Sequence, residues 1–134
     1  MIIMKWKDHL AAYHEHRAAV DWAVNRGIDK SQRIAGAHIS RAAVELLAAY
    51  LVREKLMEAS AHLNHRWFKS AGVGSKLPDF PDKGKIIKDM NALENKAEVL
   101  TYGAAKSKKE ISDAMEFFLR VEEKLKGMLG ETDE

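Results

Sequence analysis

The stretch Leu93 to Glu110, LENKAEVLTYGAAKSKKE, constrains the fold more than any other part of this chain, because one helix ends in it and the next begins. Leu93, Ala97 and Leu100 carry a helical stripe to Tyr102. Gly103 then supplies the left-handed residue on which helices commonly stop, and Ser107 with Glu110 makes a capping box for the helix that follows. A long helical hairpin is predicted. Its first arm carries Ile86, Met90, Leu93, Ala97 and Leu100, its second Ile111, Ala114, Phe118, Val121, Leu125 and Met128. Both series step by three and four residues, which is the seam that an antiparallel pair in a bundle requires.

The remainder of the chain reads as helical as well. From Met4 to Arg26 the residues Trp6, Leu10, Tyr13, Val20 and Val24 recur at helical steps, interrupted by Arg17, and Gly27 is a natural stop. Asp29 or Ser31 is the candidate cap of a second helix, which runs through Ile34 and Ala37 into the apolar block Val44 to Val52, broken only by Glu45. A helix that is apolar nearly all round belongs at the centre, and Ala42, Ala43, Ala48 and Ala49 permit close approach by its neighbours. Beyond Met57 a short helix through Phe68 is followed by a loop punctuated by Gly72, Gly74, Pro78 and Pro81. The predicted fold is all-α: an antiparallel four-helix bundle with one short extra helix between helices two and three. It forms one domain over residues 1–130, with a frayed tail at 131–134.

Composition removes several classes of function. The chain has no Cys, which excludes disulfides, thiolate metal sites and cysteine nucleophiles. A formal net charge of +2 over 134 residues leaves only a local patch for a polyanion. The opening MIIMKWKD is too short in its apolar part for a signal peptide, and no run reaches the roughly 18 apolar residues of a membrane span, so a cytoplasmic protein without membrane partners is expected. No Gly-rich phosphate loop, nucleophile elbow or zinc-deaminase signature is present, and no cofactor is expected.

The order of an amphipathic first helix, a second carrying RAAVELLAAYLVRE, a loop, and a third closing on ENKAEVLTYG resembles the HEPN superfamily, small helical-bundle domains associated with nucleotide binding. The resemblance implies a homodimer that binds nucleotide or RNA. It also implies a possible partnership with a nucleotidyltransferase or a toxin-antitoxin system. Many members are metal-independent ribonucleases that use Arg, four to six residues, then His near the third helix. The matching positions here read Lys96 and Thr101, a Lys for the Arg and a hydroxyl for the imidazole, so the resemblance implies binding or assembly without efficient catalysis, with a residual endoribonuclease as the alternative. An Arg-x4-His at Arg33 and His38 lies at the start of helix two, away from the family location.

Particular residues sharpen these expectations. Glu45 sits among Val44, Leu46 and Leu47 and needs a partner, with Arg41, Arg17 and Tyr13 as the candidates; the resemblance makes an acid at this place common. The run His62, Asn64, His65, Arg66, Trp67 and Lys69 combines cations, imidazoles and an aromatic plane, which suits phosphate contact and base stacking. Together with Lys96, Thr101 and Tyr102, His65 and Arg66 are the predicted nucleotide- or RNA-binding residues, lining one groove. Glu58, His62 and His65 share a helical face, yet the paired E-x-x-H motifs of di-iron bundles are missing, and no metal site is predicted. Phe117 and Phe118 are adjacent and cannot both face one core, which leaves one of them for a subunit interface.

Overall fold

The computed structural model describes residues 5–58 and 63–130 and contains four long helices: α1 (Trp6–Arg26), α2 (Gln32–Arg53), α3 (Lys83–Tyr102) and α4 (Lys108–Leu129). Three short 3-10 turns complete the described secondary structure, at Ile28–Lys30, His65–Lys69 and Ala71–Lys76. The four-helix all-α expectation holds. Between α2 and α3, however, two consecutive 3-10 turns stand where one short helix and a loop were expected. Each has its own cap: Asn64 accepts from the Arg66 amide, and Ser70 from the Gly72 amide. Such local side-chain bonds favour tight turns over a continued helix. The tail at 131–134 and His62 lie outside the described residues.

The side-chain pairs that cross between helices give the topology. His9 and His16 of α1 meet Glu45 and His38 of α2, running in opposite directions. Lys96 of α3 sits over Phe117 of α4, and Arg53 at the end of α2 donates to the Leu129 carbonyl at the end of α4. The bundle is therefore up-down-up-down, with α2 and α4 parallel. α2 is the central helix: it packs against α1, α3 and α4, whereas the backbone of α1 packs on α2 and the adjoining turn at 28–30, not on α3 or α4. By length and composition α2 is also the one described helix apolar enough to cross a membrane, but 67% of its most apolar window is buried inside the bundle.

A single apolar cluster joins all four helices. Ile39, Leu46, Leu47 and Leu51 of α2 meet Leu93 and Leu100 of α3 and Ile111, Phe118 and Leu125 of α4, all fully buried. Phe118 faces this core while Phe117 is only half-buried, as two adjacent helical positions require. α1 reaches α4 through long polar side chains. Glu122, buried on α4, accepts from the Tyr13 hydroxyl at 2.5 Å and from Arg17 Nε at 2.7 Å. Burial and the Glu122 carboxylate together push the Tyr13 hydroxyl up to about 12.

The α3–α4 connection is held by Gln32 at the start of α2. Its buried amide donates to the carbonyls of Leu100 and Ala104, both at 3.1 Å, and accepts from the Lys106 amide at 2.8 Å. Arg33 adds a bond to the Gly103 carbonyl. The capping box of Ser107 and Glu110 is present. Gly103, in contrast, is not left-handed; its φ of −87° is open to any residue. Space explains the glycine instead, since an added Cβ would stand 2.7 Å from the Val99 carbonyl oxygen. Ser31 begins α2 but makes no capping hydrogen bond, and its buried hydroxyl has no partner among the described residues.

At Gly36 α2 and α3 approach one another closely. A Cβ there would lie 2.7 Å from Leu100 Cβ, 2.8 Å from Thr101 Oγ1 and 2.9 Å from the Ala97 carbonyl oxygen. Two of those atoms are fixed to backbone and cannot swing away. Ala would favour the helix by about 1 kcal/mol, but forcing a methyl into this contact costs about 1–3 kcal/mol. We expect Gly36→Ala to lower the urea midpoint with no change in slope, the net sign following the clash; an unchanged or raised midpoint would show that the two helices separate freely here.

Candidate functional site

α2 is buried on three sides, and the fourth side carries its polar residues. Between Ile34 and Val52 the residues that are not buried are Ile34, Ala37, His38, Arg41, Glu45 and Val52, a single stripe at helical spacing. α1 flanks this stripe with His9 and His16. The turn at 65–69, which packs on both α2 and α3, brings His65 to the neighbourhood of His16. Four histidines from three elements thus gather over one face of α2 with Arg41 among them.

They fall into two kinds. The outer pair are each held by a carboxylate: His9 Nδ1 lies 2.8 Å from Glu45 Oε1, and His65 Nδ1 lies 3.1 and 3.2 Å from the two oxygens of Glu94. Glu94 is on α3, its side chain only 5% exposed, and among the described residues this imidazole is its hydrogen-bond partner. A hydrogen bond donated from Nδ1 to a carboxylate fixes the ring and leaves Nε2 available. The inner pair, His16 and His38, have one another as hydrogen-bond partners among the described residues, with their Nδ1 atoms 2.9 Å apart. One must donate and one accept.

Both inner imidazoles are held below the ordinary histidine value, chiefly because partial burial disfavours the charged ring. For His16 the Glu45 carboxylate opposes this and Arg41 adds to it; for His38 a second positive ring at His16, and Arg41, push the same way as burial. Arg41 itself donates to the Ala37 carbonyl one turn back.

The expected partners of Glu45 are therefore corrected. Arg41 turns toward its own helix backbone, and Arg17 and Tyr13 face α4, where they satisfy Glu122; His9 occupies Glu45 instead. The predicted nucleotide-binding residues also separate. His65 belongs to the cluster, and Arg66 beside it is exposed. Lys96 points the other way around α3, over the Phe117 ring at 5.7 Å, where it helps to line a surface pocket of about 340 Å³ between α3 and α4. Thr101 is half-buried against Gly36 and donates to the Ala97 carbonyl, a packing position. Tyr102 is 76% exposed and stands in no cluster. These five residues do not line one groove, because Glu94 and Lys96, two apart on α3, project to opposite sides of the helix.

The residues that sequence reasoning missed are His9, His16, Arg41 and Glu94. One signal was available: His9 and His16 are seven apart on α1, and His38 and Glu45 are seven apart on α2. Two antiparallel helices with polar residues at the same two-turn spacing can pair both positions at once. Among the described residues no group of three His, Asp or Glu is placed to hold a metal ion. Comparison with protein-family models, curated proteins and solved structures gives no match to this chain.

The inner pair makes stability depend on pH. The histidine pKa in the unfolded chain is about 6.5, and the folded values of His16 and His38 lie below it. As pH falls through that window the unfolded chain binds more protons than the folded one, so the stability present above pH 6.5 is lost on acidification. We expect the melting temperature to fall between pH 7.5 and 5.5, and the fall to shrink when His16 and His38 are both replaced by Asn. An equal fall in the double variant would place the sensitivity elsewhere.

Proposed function

We propose that this chain is a HEPN-like module that binds nucleotide or RNA, and that His16, His38, Arg41 and His65 form its phosphate-contacting site. The observation that carries the reading is their convergence from α1, α2 and the turn at 65–69 onto the part-exposed stripe of the central helix. A planar guanidinium beside imidazoles suits the geometry and charge of a phosphate. Glu45 and Glu94 each face a histidine, so their oxygens at those contacts are engaged. Arg66 and Lys69 on the same turn extend the positive character outward; Lys69 is in turn engaged by Glu98 at 2.6 Å. As the resemblance implies, a module of this kind works as a homodimer, with a nucleotidyltransferase or toxin-antitoxin partner.

A second reading, residual metal-independent ribonuclease activity, is favoured by the inner pair. A ring that is neutral near pH 7 suits a general base for a ribose 2′-hydroxyl, and His65, its ring oriented by Glu94, stands near it as a second imidazole for proton transfer.

Binding and cleavage are measured together on labelled single-stranded RNA with metal-free protein. Losing a charge-assisted phosphate bond costs about 1.5–3 kcal/mol, so Arg41→Ala should weaken binding at least about tenfold. Lys96→Ala, on the far side of α3, should leave affinity unchanged. The reverse pattern would move the site to the α3–α4 seam. Cleavage that His38→Asn abolishes while binding persists would establish the second reading.

A further inference from the structure

The charge of the cluster is set by its histidines. Arg41 is the permanent cation facing His16 and His38, while Glu45 and Glu94 are occupied by His9 and His65. Among the described residues, the charged or titratable groups that act on the inner pair come from three elements: Glu15 from α1, Arg41 and Glu45 from α2, and His65 from the turn at 65–69. Among the described residues no carboxylate is hydrogen-bonded to either inner ring.

An Nδ1–Nδ1 contact of 2.9 Å holds one proton between two nitrogens. A further proton can enter the pair without breaking it. It binds the outer Nε2 of the donor ring, which becomes an imidazolium still donating through Nδ1 to its neutral neighbour. A second excess proton would place N–H against N–H and break the contact. The pair therefore accepts one excess proton while intact. In the empty protein, burial and the adjacent guanidinium oppose that proton. A phosphate oxygen drawn in by Arg41 reverses the balance, supplying negative charge beside the Nε2–H that would face it.

We propose that binding of a phosphate oxyanion at this cluster is coupled to the uptake of one proton by the His16–His38 pair, which makes the site an anion receptor gated by pH. The inference rests on the reading of the cluster as a phosphate site, and goes beyond it in stating what regulates the site. Affinity must rise as pH falls, by up to about tenfold per unit, because each proton taken up on binding contributes that slope. The dependence flattens once the empty pair is already protonated.

The test is calorimetric titration of the full chain with a hexauridylate that has hydroxyl ends, whose diesters keep a constant charge from pH 5.5 to 8. At pH 7 the observed heat is measured in two buffers of different ionisation enthalpy, which counts the protons exchanged. The expected result is uptake approaching about one proton per bound site in the native chain, and uptake near zero in His16→Asn and in His38→Asn. His14→Asn, an exposed histidine of α1 outside the cluster, serves as the control and should match the native chain. Tight binding with no uptake in the native chain would overturn the proton coupling and leave the phosphate site standing. Equal uptake in the native chain and both pair variants would also overturn it. Absence of binding at every pH would remove the phosphate site and the coupling together.

Discussion

Three helices pack on α2, and among the described residues no helix fully covers its fourth side. That asymmetry organises the molecule. Where α3 lies close, at Gly36, there is no room for even a methyl group, and Thr101 and Leu100 fill the contact. Along the stripe that packing leaves part-exposed, α2 carries His38, Arg41 and Glu45 beside Ile34, Ala37 and Val52, and His38 and Glu45 pair with histidines of α1. The same helix thus supplies the largest share of the apolar core and the floor of the polar cluster. Burying three of its sides fixes the position of the fourth, so the histidines of α1 and of the turn at 65–69 meet a rigid surface.

Two polar networks illustrate what burial does to charge. Around Glu122 the carboxylate is met by the Tyr13 hydroxyl and the Arg17 guanidinium, a full complement that ties α1 to α4 where their backbones do not touch. Removing one member would strand the others, so this network resists change. The histidine cluster is half-buried, and among the described residues no carboxylate is hydrogen-bonded to its inner pair. The first network suits structure and the second suits recognition.

Much of the fold was legible because helix periodicity and capping are local properties. The stripe from Ile86 to Leu100, the capping box at Ser107 and Glu110, and the central position of the apolar second helix all follow from neighbours in sequence. Partners across helices are another matter. Glu45 sits one turn from Arg41, which made that pair the obvious choice, but the arginine finds its own backbone and leaves the carboxylate to a histidine 36 positions away. Gly103 was readable as a helix stop, though the reason proved to be crowding by the Val99 carbonyl and not a left-handed backbone. Lys96 and His65 were grouped by chemistry, and the turn of α3 between Glu94 and Lys96 separates them. Glu94 and Glu122, the two buried acids, carry no local mark distinguishing them from solvated glutamates, since only the approach of His65 and of Arg17 makes them structural.

The central claim is that His16, His38 and His65 act as one site with Arg41. The most direct measurement is the nuclear magnetic resonance of the histidine ring nitrogens and carbons during titration with a short RNA whose charge does not change with pH. The resonances of His16, His38 and His65 should move together at one saturating concentration, with those of the inner pair shifting toward the protonated form, while His14 stays where it is. Movement of His14 to the same extent, or shifts confined to the Lys96 and Phe117 side of the bundle with the three rings unmoved, would contradict the account.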